Sequence, residues 1–315
     1  MSGGEAGAAV GLRFTGGSLP GLVPAVEGDL PSVTVELADP SVLDQRWSSA
    51  TAPELIFERP FRDGRPFLRV ERDERAGYRI WALEHGTHLI SSDATRCSSA
   101  LPDGPVWRGM KLLASQTLPL LSTLRGREVL HAAGVVVDGR LLGIVAASGT
   151  GKSATACNVI AQGARFFADD VLALELVDGE VHAHPGTCLL NLHAHDMDAI
   201  PEPDRARLGD ELGRSDKVHL APEGFPTALP LRGLVFLRRS GESAATTLSP
   251  LENAPAQLLG NAFLPYLDRG ERLARQLDVM SALARTVPLV RLEAGRAGAP
   301  AALAATVREW AGGLP

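Results

Sequence analysis

The run Ala146-Ala147-Ser148-Gly149-Thr150-Gly151-Lys152-Ser153 constrains this chain more tightly than any other stretch. It follows an apolar segment, Leu141-Leu142-Gly143-Ile144-Val145, that reads as a buried strand. It leads into Ala154-Thr155-Ala156-Cys157-Asn158-Val159-Ile160-Ala161, which reads as a helix. A strand, a glycine-rich turn ending in Lys-Ser and a helix, in that order, make a phosphate-binding P-loop. The backbone N–H groups of Ala147, Ser148, Gly149, Thr150, Gly151, Lys152, Ser153 and Ala154 are then the expected cradle for a nucleotide polyphosphate, ATP in the first instance. Lys152 would reach the β- and γ-phosphates, and the Ser153 hydroxyl would ligate Mg²⁺. The first glycine of the usual pattern is Ala146 here. Lysine is scarce, with Lys111, Lys152 and Lys217 the only three in the chain, so a lysine at this position is not background.

A second constellation follows. The helix is expected to stop near Gly163. Arg165-Phe166-Phe167 and Val171-Leu172-Ala173-Leu174-Glu175-Leu176 read as strands flanking Asp169-Asp170. Asp169 lies 17 residues after Lys152, one helix and one turn away, which is closer than the magnesium acid of motor ATPases or GTPases. Alone, the pair would read as a polar turn. Beside a P-loop it suits magnesium binding and general-base work in phosphoryl transfer.

His131-Ala132-Ala133-Gly134-Val135-Val136-Val137-Asp138, the P-loop, and Gly163 through Asp170 together resemble the catalytic core of the HPr kinase/phosphorylase family. The resemblance covers about residues 125–195, with a looser similarity running to the C-terminus. It implies an α/β fold: a P-loop core with a mixed sheet, like that of phosphoenolpyruvate carboxykinase. It implies catalytic roles for Lys152, Asp169 and Asp170, one aspartate being the general base, and for His131 a hydrogen bond within the acidic cluster. Ser153 and Asp170 would hold the metal. A family signature further on is matched only by Ala183-His184-Pro185-Gly186-Thr187-Cys188-Leu189-Leu190-Asn191, where Ala183 replaces a glutamate and Pro185 an arginine. That glutamate helps hold magnesium and the stretch serves the reverse reaction, so forward kinase activity alone is expected. The N-terminal third does not read like the family's regulatory domain.

A net charge of −6 argues against a nucleic-acid surface. Three widely spaced cysteines, Cys97, Cys157 and Cys188, read as free thiols of a reducing cytoplasm. No basic leader and no run of 18 apolar residues is present, so neither a signal peptide nor a membrane span is expected. Many arginines and alanines with few lysines fit a high-GC bacterial genome.

The organisation reads as a β-rich N-terminal domain over residues 1–105, its first 30 residues Gly/Pro-rich and loose, followed by the kinase-like domain over 106–315. Val33–Leu37, Glu54–Glu58, Pro66–Glu71 and Tyr78–Leu83 alternate like half-buried strands. Trp107–Leu124, Ala254–Leu267, Gly270–Leu283 and Pro300–Trp310 read as helices, Leu234–Leu237 and Leu289–Leu292 as strands, and Pro201–Gly213 as a mobile charged loop.

Two His-x-His pairs, His182/His184 and His193/His195, have zinc-like spacing but read better as a polar rim beside the site. Lys217 reads either as a phosphate contact made when the preceding loop closes or as a solvated charge. Arg238 or Arg239 would neutralise phosphate charge. The sequence thus points to an ATP- and Mg²⁺-dependent kinase acting on a hydroxyl, preferably a Ser or Thr of a peptide or small protein, such as a natural-product precursor peptide. The alternatives are a small-molecule kinase for a sugar or metabolite alcohol, and a nucleotide-sensing module without turnover. The expected N-terminal role is acceptor recognition, and a homo-oligomer is left open.

Overall fold

The computed structural model describes residues 6–26, 28–241, 246–252, 254–264, 266–267, 270–295 and 298–314. It is a mixed α/β structure with two nine-stranded sheets and a small three-stranded one.

The first sheet uses Gly7–Ala9 through Arg96–Ala100, in the spatial order Val23–Pro24, Gly7–Ala9, Leu12–Gly16, Ser32–Leu37, Arg96–Ala100, Gly86–Ile90, Gly77–Ala82, Pro66–Asp73 and Glu54–Pro60. Four of these strands match the alternating runs of the sequence. Within the stretch that reads as loose, the structure instead has three short strands between Gly7 and Pro24, with Leu12 and Phe14 buried. Gly7–Ala9 pairs within this stretch, with Leu12–Gly16 and Val23–Pro24, and Leu12–Gly16 also pairs in parallel with Ser32–Leu37. The helix Pro40–Trp47 was also not anticipated. Asp39 caps it by accepting from the Ser41 N–H at 2.9 Å, Pro40 opens it, and Leu43 and Trp47, four apart, are its only buried residues.

The chain then crosses to the second sheet through one long helical rod. Val106–Leu112 and Leu118–Leu124 are α-helical, joined by a π-helical turn over Leu113–Thr117. Pro119 explains the widened turn, because it has no N–H to give to the carbonyl four residues back. Leu112, Leu113, Leu118, Leu120 and Leu121 sit in one apolar core with Phe14, Val33 and Ile80 of the first sheet and Val129, Val171 and Ala173 of the second.

The second sheet runs Glu128–Leu130, Leu172–Val177, Glu180–His184, Leu229–Arg239, Arg140–Ala146, Ala132–Val137, Arg165–Ala168. Leu229–Arg239 pairs in parallel with Arg140–Ala146 on one side and with Leu289–Ala294 on the other. The helices Lys152–Ala161 and Pro300–Gly312 cover one face, burying Ala156, Ile160, Leu303 and Val307. Gly270–Thr286 packs Val279, Met280 and Leu283 against the other. The third sheet is Leu190–His193, Lys217–Ala221, Asp210–Arg214.

Two expectations are corrected. The segment 201–213 is not a loop: it holds the helix Glu202–Arg205, a 3₁₀ turn and the start of the strand Asp210–Arg214. Leu208, fully buried beside the helix Lys152–Ala161, anchors it, a single apolar residue hidden in a charged sequence. The helix expected over 254–267 ends at Gly260; Asn261 instead turns to accept from the His131 N–H at 2.9 Å. The cysteines are free, as read from their spacing. Among the described residues no helix is long and apolar enough to cross a membrane.

His88 is fully buried in the first sheet with Nδ1 2.9 Å from Ser99 Oγ, and burial pushes its pKa down to about 3. The unfolded chain therefore takes up a proton near pH 6.5 that the folded chain refuses until about 3, so stability falls as pH drops through this window. Asp73 and Asp93, lowered to about 2 by backbone and side-chain hydrogen bonds, act only below the ordinary carboxylate range. Urea unfolding between pH 6.5 and 4.5 should show His88 alone costing about 1.4 kcal/mol per pH unit. A His88→Gln variant should lose that part of the slope.

Candidate functional site

The end of the second sheet is organised by strand direction. Arg140–Ala146 and Arg165–Ala168 both pair antiparallel with Ala132–Val137, which lies between them. Their C-terminal ends and the N-terminal end of the middle strand therefore share one edge. The glycine-rich loop leaves from the first, Asp169-Asp170 from the second, and His131 precedes the third. Leu229–Arg239, parallel to the P-loop strand, delivers Arg239 to the same edge. Ligand sites of open α/β sheets lie at such an edge.

The glycine-rich loop occupies residues 147–151, and the helix begins at Lys152. Gly149 (φ 77°) and Gly151 (φ 102°) take left-handed backbone that a side chain would strain. Ala146 is still in the strand, paired with Leu237, so this position does not need glycine and the departure from the usual pattern has no cost. No side chain caps the helix at Gly151. Its first-turn amides and dipole are thus the natural place for an anion. The Arg239 guanidinium braces the loop from below, donating to the carbonyls of Thr150 (3.3 Å), Gly295 (2.9 Å) and Gly298 (2.7 Å). It is spent on backbone oxygens, whereas Arg238 lines a cleft of about 330 Å³ with Ala146, Ala147, Gln257, Asn261 and Arg291.

Lys152 and Ser153 turn from the loop onto the acidic pair. Lys152 Nζ lies 2.6 Å from Asp170 Oδ1 and 3.7 Å from Asp169 Oδ1. Ser153 Oγ donates to Asp169 Oδ1 at 3.2 Å, and the Asn191 N–H donates to Asp169 Oδ2 at 3.2 Å. Asp170 adopts φ 65°, which an aspartate tolerates and which bends the chain at the pair. The proton affinities of the two carboxyls are pushed in opposite directions. Burial, and then the charge of Asp170, raise the pKa of Asp169. Burial works upward on Asp170 too, but Lys152 outweighs it and lowers the pKa. Burial opposes the charge of Lys152, yet the two aspartates prevail and raise its pKa.

His131 is present at the rim of this cluster. Its ring stacks on Phe263 at 5.7 Å and its Nδ1 is buried without a partner. Burial and the nearby Lys152 charge lower its pKa, while Asp170 pulls the other way.

One group of site residues escaped sequence reading. Asn191 Oδ1 is 2.8 Å from His219 Nδ1, and His219 Nε2 is 2.9 Å from Ser215 Oγ. The imidazole stacks on Trp107 at 3.9 Å, with burial lowering its pKa to about 4. The indole is pressed on Gly213, where a Cβ would come within 2.8 Å of Nε1. No local motif links positions 107, 191, 215 and 219; only Asn191 lay in a matched stretch. The two His-x-His pairs do not converge. His184 bonds Glu175 (2.8 Å) in a buried cluster with Arg127, His182 bonds Glu180 (3.2 Å), and His193 stacks on His195. Among the described residues no group of three or more His, Cys, Asp or Glu side chains is placed to hold a metal ion.

No family model matches the chain. No curated protein matches it in sequence. Among solved structures it is similar to the Hpr(Ser) kinase/phosphatase from Coxiella burnetii, with a TM-score of 0.32 and 11% identity over 58% of this chain and 95% of that one.

The bracing by Arg239 has a direct readout. Arg239→Ala removes three charge-assisted hydrogen bonds around the loop, each worth about 1.5–3 kcal/mol. Amide hydrogen exchange at 148–151 is expected to speed up more than tenfold, with the first sheet unaffected. Unchanged exchange there would show that the loop holds its shape without the arginine.

Proposed function

We propose that this protein is a kinase that passes the γ-phosphoryl group of ATP to a hydroxyl, with a Ser or Thr of a peptide or small protein as the preferred acceptor. The observation that carries this reading is the direct contact of both P-loop side chains with two aspartates whose proton affinities are pushed in opposite directions. Pairs of carboxyls split in this way are how one site supplies both a base and a permanent anion.

The residues present fit a magnesium ion. A serine hydroxyl and two carboxylates give hard oxygen donors, few enough to leave room for waters and phosphate oxygens. Ser153 and Asp170 would hold the ion, whose charge would be shared with the transferring phosphate. Lys152, nearly buried, would stabilise the negative charge of the phosphoryl group and keep the aspartates together until nucleotide arrives. Asp169, with its raised proton affinity, would orient the acceptor hydroxyl and take its proton. Much of its effect would come from positioning, because a loose transition state needs little help from a base. His131, neutral at pH 7 by the direction of its shift, would serve the cluster as a hydrogen-bonding group rather than as a cation.

Acceptor recognition is assigned in this reading to the first sheet. It carries a cleft of about 560 Å³ lined by Arg46, Trp47, Arg75, Arg96 and several serines.

Lys152→Ala should abolish phosphoryl transfer from MgATP. The variant leaves two carboxylates without their cation, so Asp169→Asn serves as the conservative partner. It should bind nucleotide normally and lose about 10²–10⁴-fold in rate. Asp170→Asn should instead weaken the magnesium dependence of nucleotide binding. Titration calorimetry with MgATP and a radiolabel transfer assay separate these outcomes. Full activity of a folded Lys152→Ala protein would refute the reading.

A further inference from the structure

The three lysines of the chain come from distant positions, yet the charge of each acts on one acidic pair. Lys152 is committed to it directly. Lys111, in the helix Val106–Leu112, places Nζ 5.5 Å over the Trp107 ring, on the indole that stacks against His219. Its ammonium is near enough to Asp170 and Asp216 to be attracted by both. Lys217 opens the strand Lys217–Ala221, two residues before His219, and its charge favours the ionised form of both Asp169 and Asp170.

Lys111 and Lys217 differ from the paired arginines of the first sheet and its helix. Arg46, Arg69, Arg72 and Arg79 are each paired with a carboxylate. Among the described residues, neither Lys111 nor Lys217 has an ion-pair partner within 4 Å or a side-chain hydrogen bond. Asp216 is held by Ser215 Oγ at 2.8 Å instead. Lys111 is moreover partly withdrawn from water, and burial lowers its pKa. The Trp107 ring face offsets part of that desolvation, and an anion joining the ammonium would offset more. Lysine suits that task better than arginine where the anion must settle and leave, since it offers a mobile point charge rather than a fixed fork.

The side of the acidic pair on which they lie matters. Asp169 Oδ1 faces Ser153 and the P-loop, while Oδ2 faces Asn191, and from Asn191 the contacts lead through His219 to Trp107 and Lys111. Nucleotide phosphates belong to the first side. In an in-line displacement the acceptor hydroxyl enters opposite the leaving group, hence from the second.

We propose that Lys111 and Lys217 form an anion subsite on the acceptor side of the acidic pair, so that the compound phosphorylated here carries a carboxylate or phosphate group near its reacting hydroxyl. This rests on the kinase reading and narrows its substrate class. The hydroxyl loses its proton to Asp169 as its oxygen bonds the γ-phosphorus, the bond to the β-phosphate oxygen breaks, and ADP leaves. The two lysines take no part in the bond changes and are specificity residues.

The test uses the full chain saturated with magnesium and β,γ-imido-ATP, which fills the P-loop side. Inorganic phosphate, N-acetyl-L-serine and neutral N-acetyl-L-serinamide are then titrated in separate arms by calorimetry. Trp107 fluorescence is a second readout, because Lys111 lies over the indole. Saturable binding of one or both anions is expected, at least tenfold tighter than the serinamide. Phosphate alone binding would assign a phosphorylated acceptor, and N-acetylserine alone a carboxylate. The Lys111→Met/Lys217→Met variant, checked for folding by thermal melting, should lose anion binding at least tenfold while imido-ATP affinity stays within twofold. Equal anion binding by the folded variant, or none by the wild type, would overturn the proposal. Failure of the wild type to take up imido-ATP would instead sink the kinase reading. Anion titration of the nucleotide-free protein would then still decide whether the lysines hold an anion.

Discussion

The ion cluster of Lys152 with Asp169 and Asp170 is the interaction on which the arrangement of this site depends. Two adjacent carboxylates repel, and both are partly or fully removed from water. One ammonium 2.6 Å from Asp170 and 3.7 Å from Asp169 makes that placement tolerable. The cluster also joins two stretches of chain that lie on different strands. The lysine arrives on the first residue of a helix whose start is fixed by Gly151, and the aspartates arrive at the end of the strand Arg165–Ala168. Ala132–Val137, running the other way between the two strands, brings both ends to one edge. That single antiparallel insertion explains the short spacing from Lys152 to Asp169, since the chain needs only one helix to return to the same edge. It also puts His131 between them.

How much of this was legible in the sequence follows from how local each signal is. The strand, glycine-rich loop and helix around Lys152 were legible because their signals are contiguous: a buried strand, two glycines at positive φ and a lysine at the start of a helix. The acidic pair was legible only by proximity to that loop. The first sheet was half legible. Its strands Pro66–Asp73 and Gly77–Ala82 alternate cleanly, whereas Gly7–Ala9 and Leu12–Gly16 are too short and too glycine-rich to signal a strand by themselves. Leu208 shows the same limit in the second half, where one buried leucine decides the path of a segment that is otherwise charged. The stack of Trp107 on His219 was invisible, because it joins residues more than a hundred positions apart and neither belongs to a motif.

That stack ties the helical rod to the site. Trp107 begins the rod, and its indole is held on one side by His219 and Gly213. His85, from the turn between two strands of the first sheet, approaches the indole at 6.4 Å and donates from Nδ1 to the Arg108 carbonyl at 2.9 Å. Further along, the π-helical turn follows immediately after Lys111, and Ser115 Oγ donates back to the Lys111 carbonyl at 2.6 Å. The rod is therefore not a uniform helix at the point where it passes the acidic pair. A widened turn there resets the facing of the residues beyond it, so that Leu118, Leu120 and Leu121 all enter the shared core while Lys111 keeps its place over Trp107.

The same rod makes the first sheet part of the support of the site. Leu113, Leu118 and Leu121 are fully buried, and the core they enter contains side chains of both large sheets. Backbone and side-chain bonds reinforce the contact: Ser122 Oγ donates to the Val10 carbonyl at 2.8 Å, the Val10 N–H to the Pro185 carbonyl at 2.7 Å, and the Cys188 N–H to the Gly21 carbonyl at 2.8 Å. Pro185 and Cys188 lie on the segment that leads into Leu190–His193, the strand whose Asn191 N–H holds Asp169. Interiors packed at crystal-like density transmit small displacements rather than absorbing them. Backbone contacts thus tie the first sheet to the strand that positions Asp169.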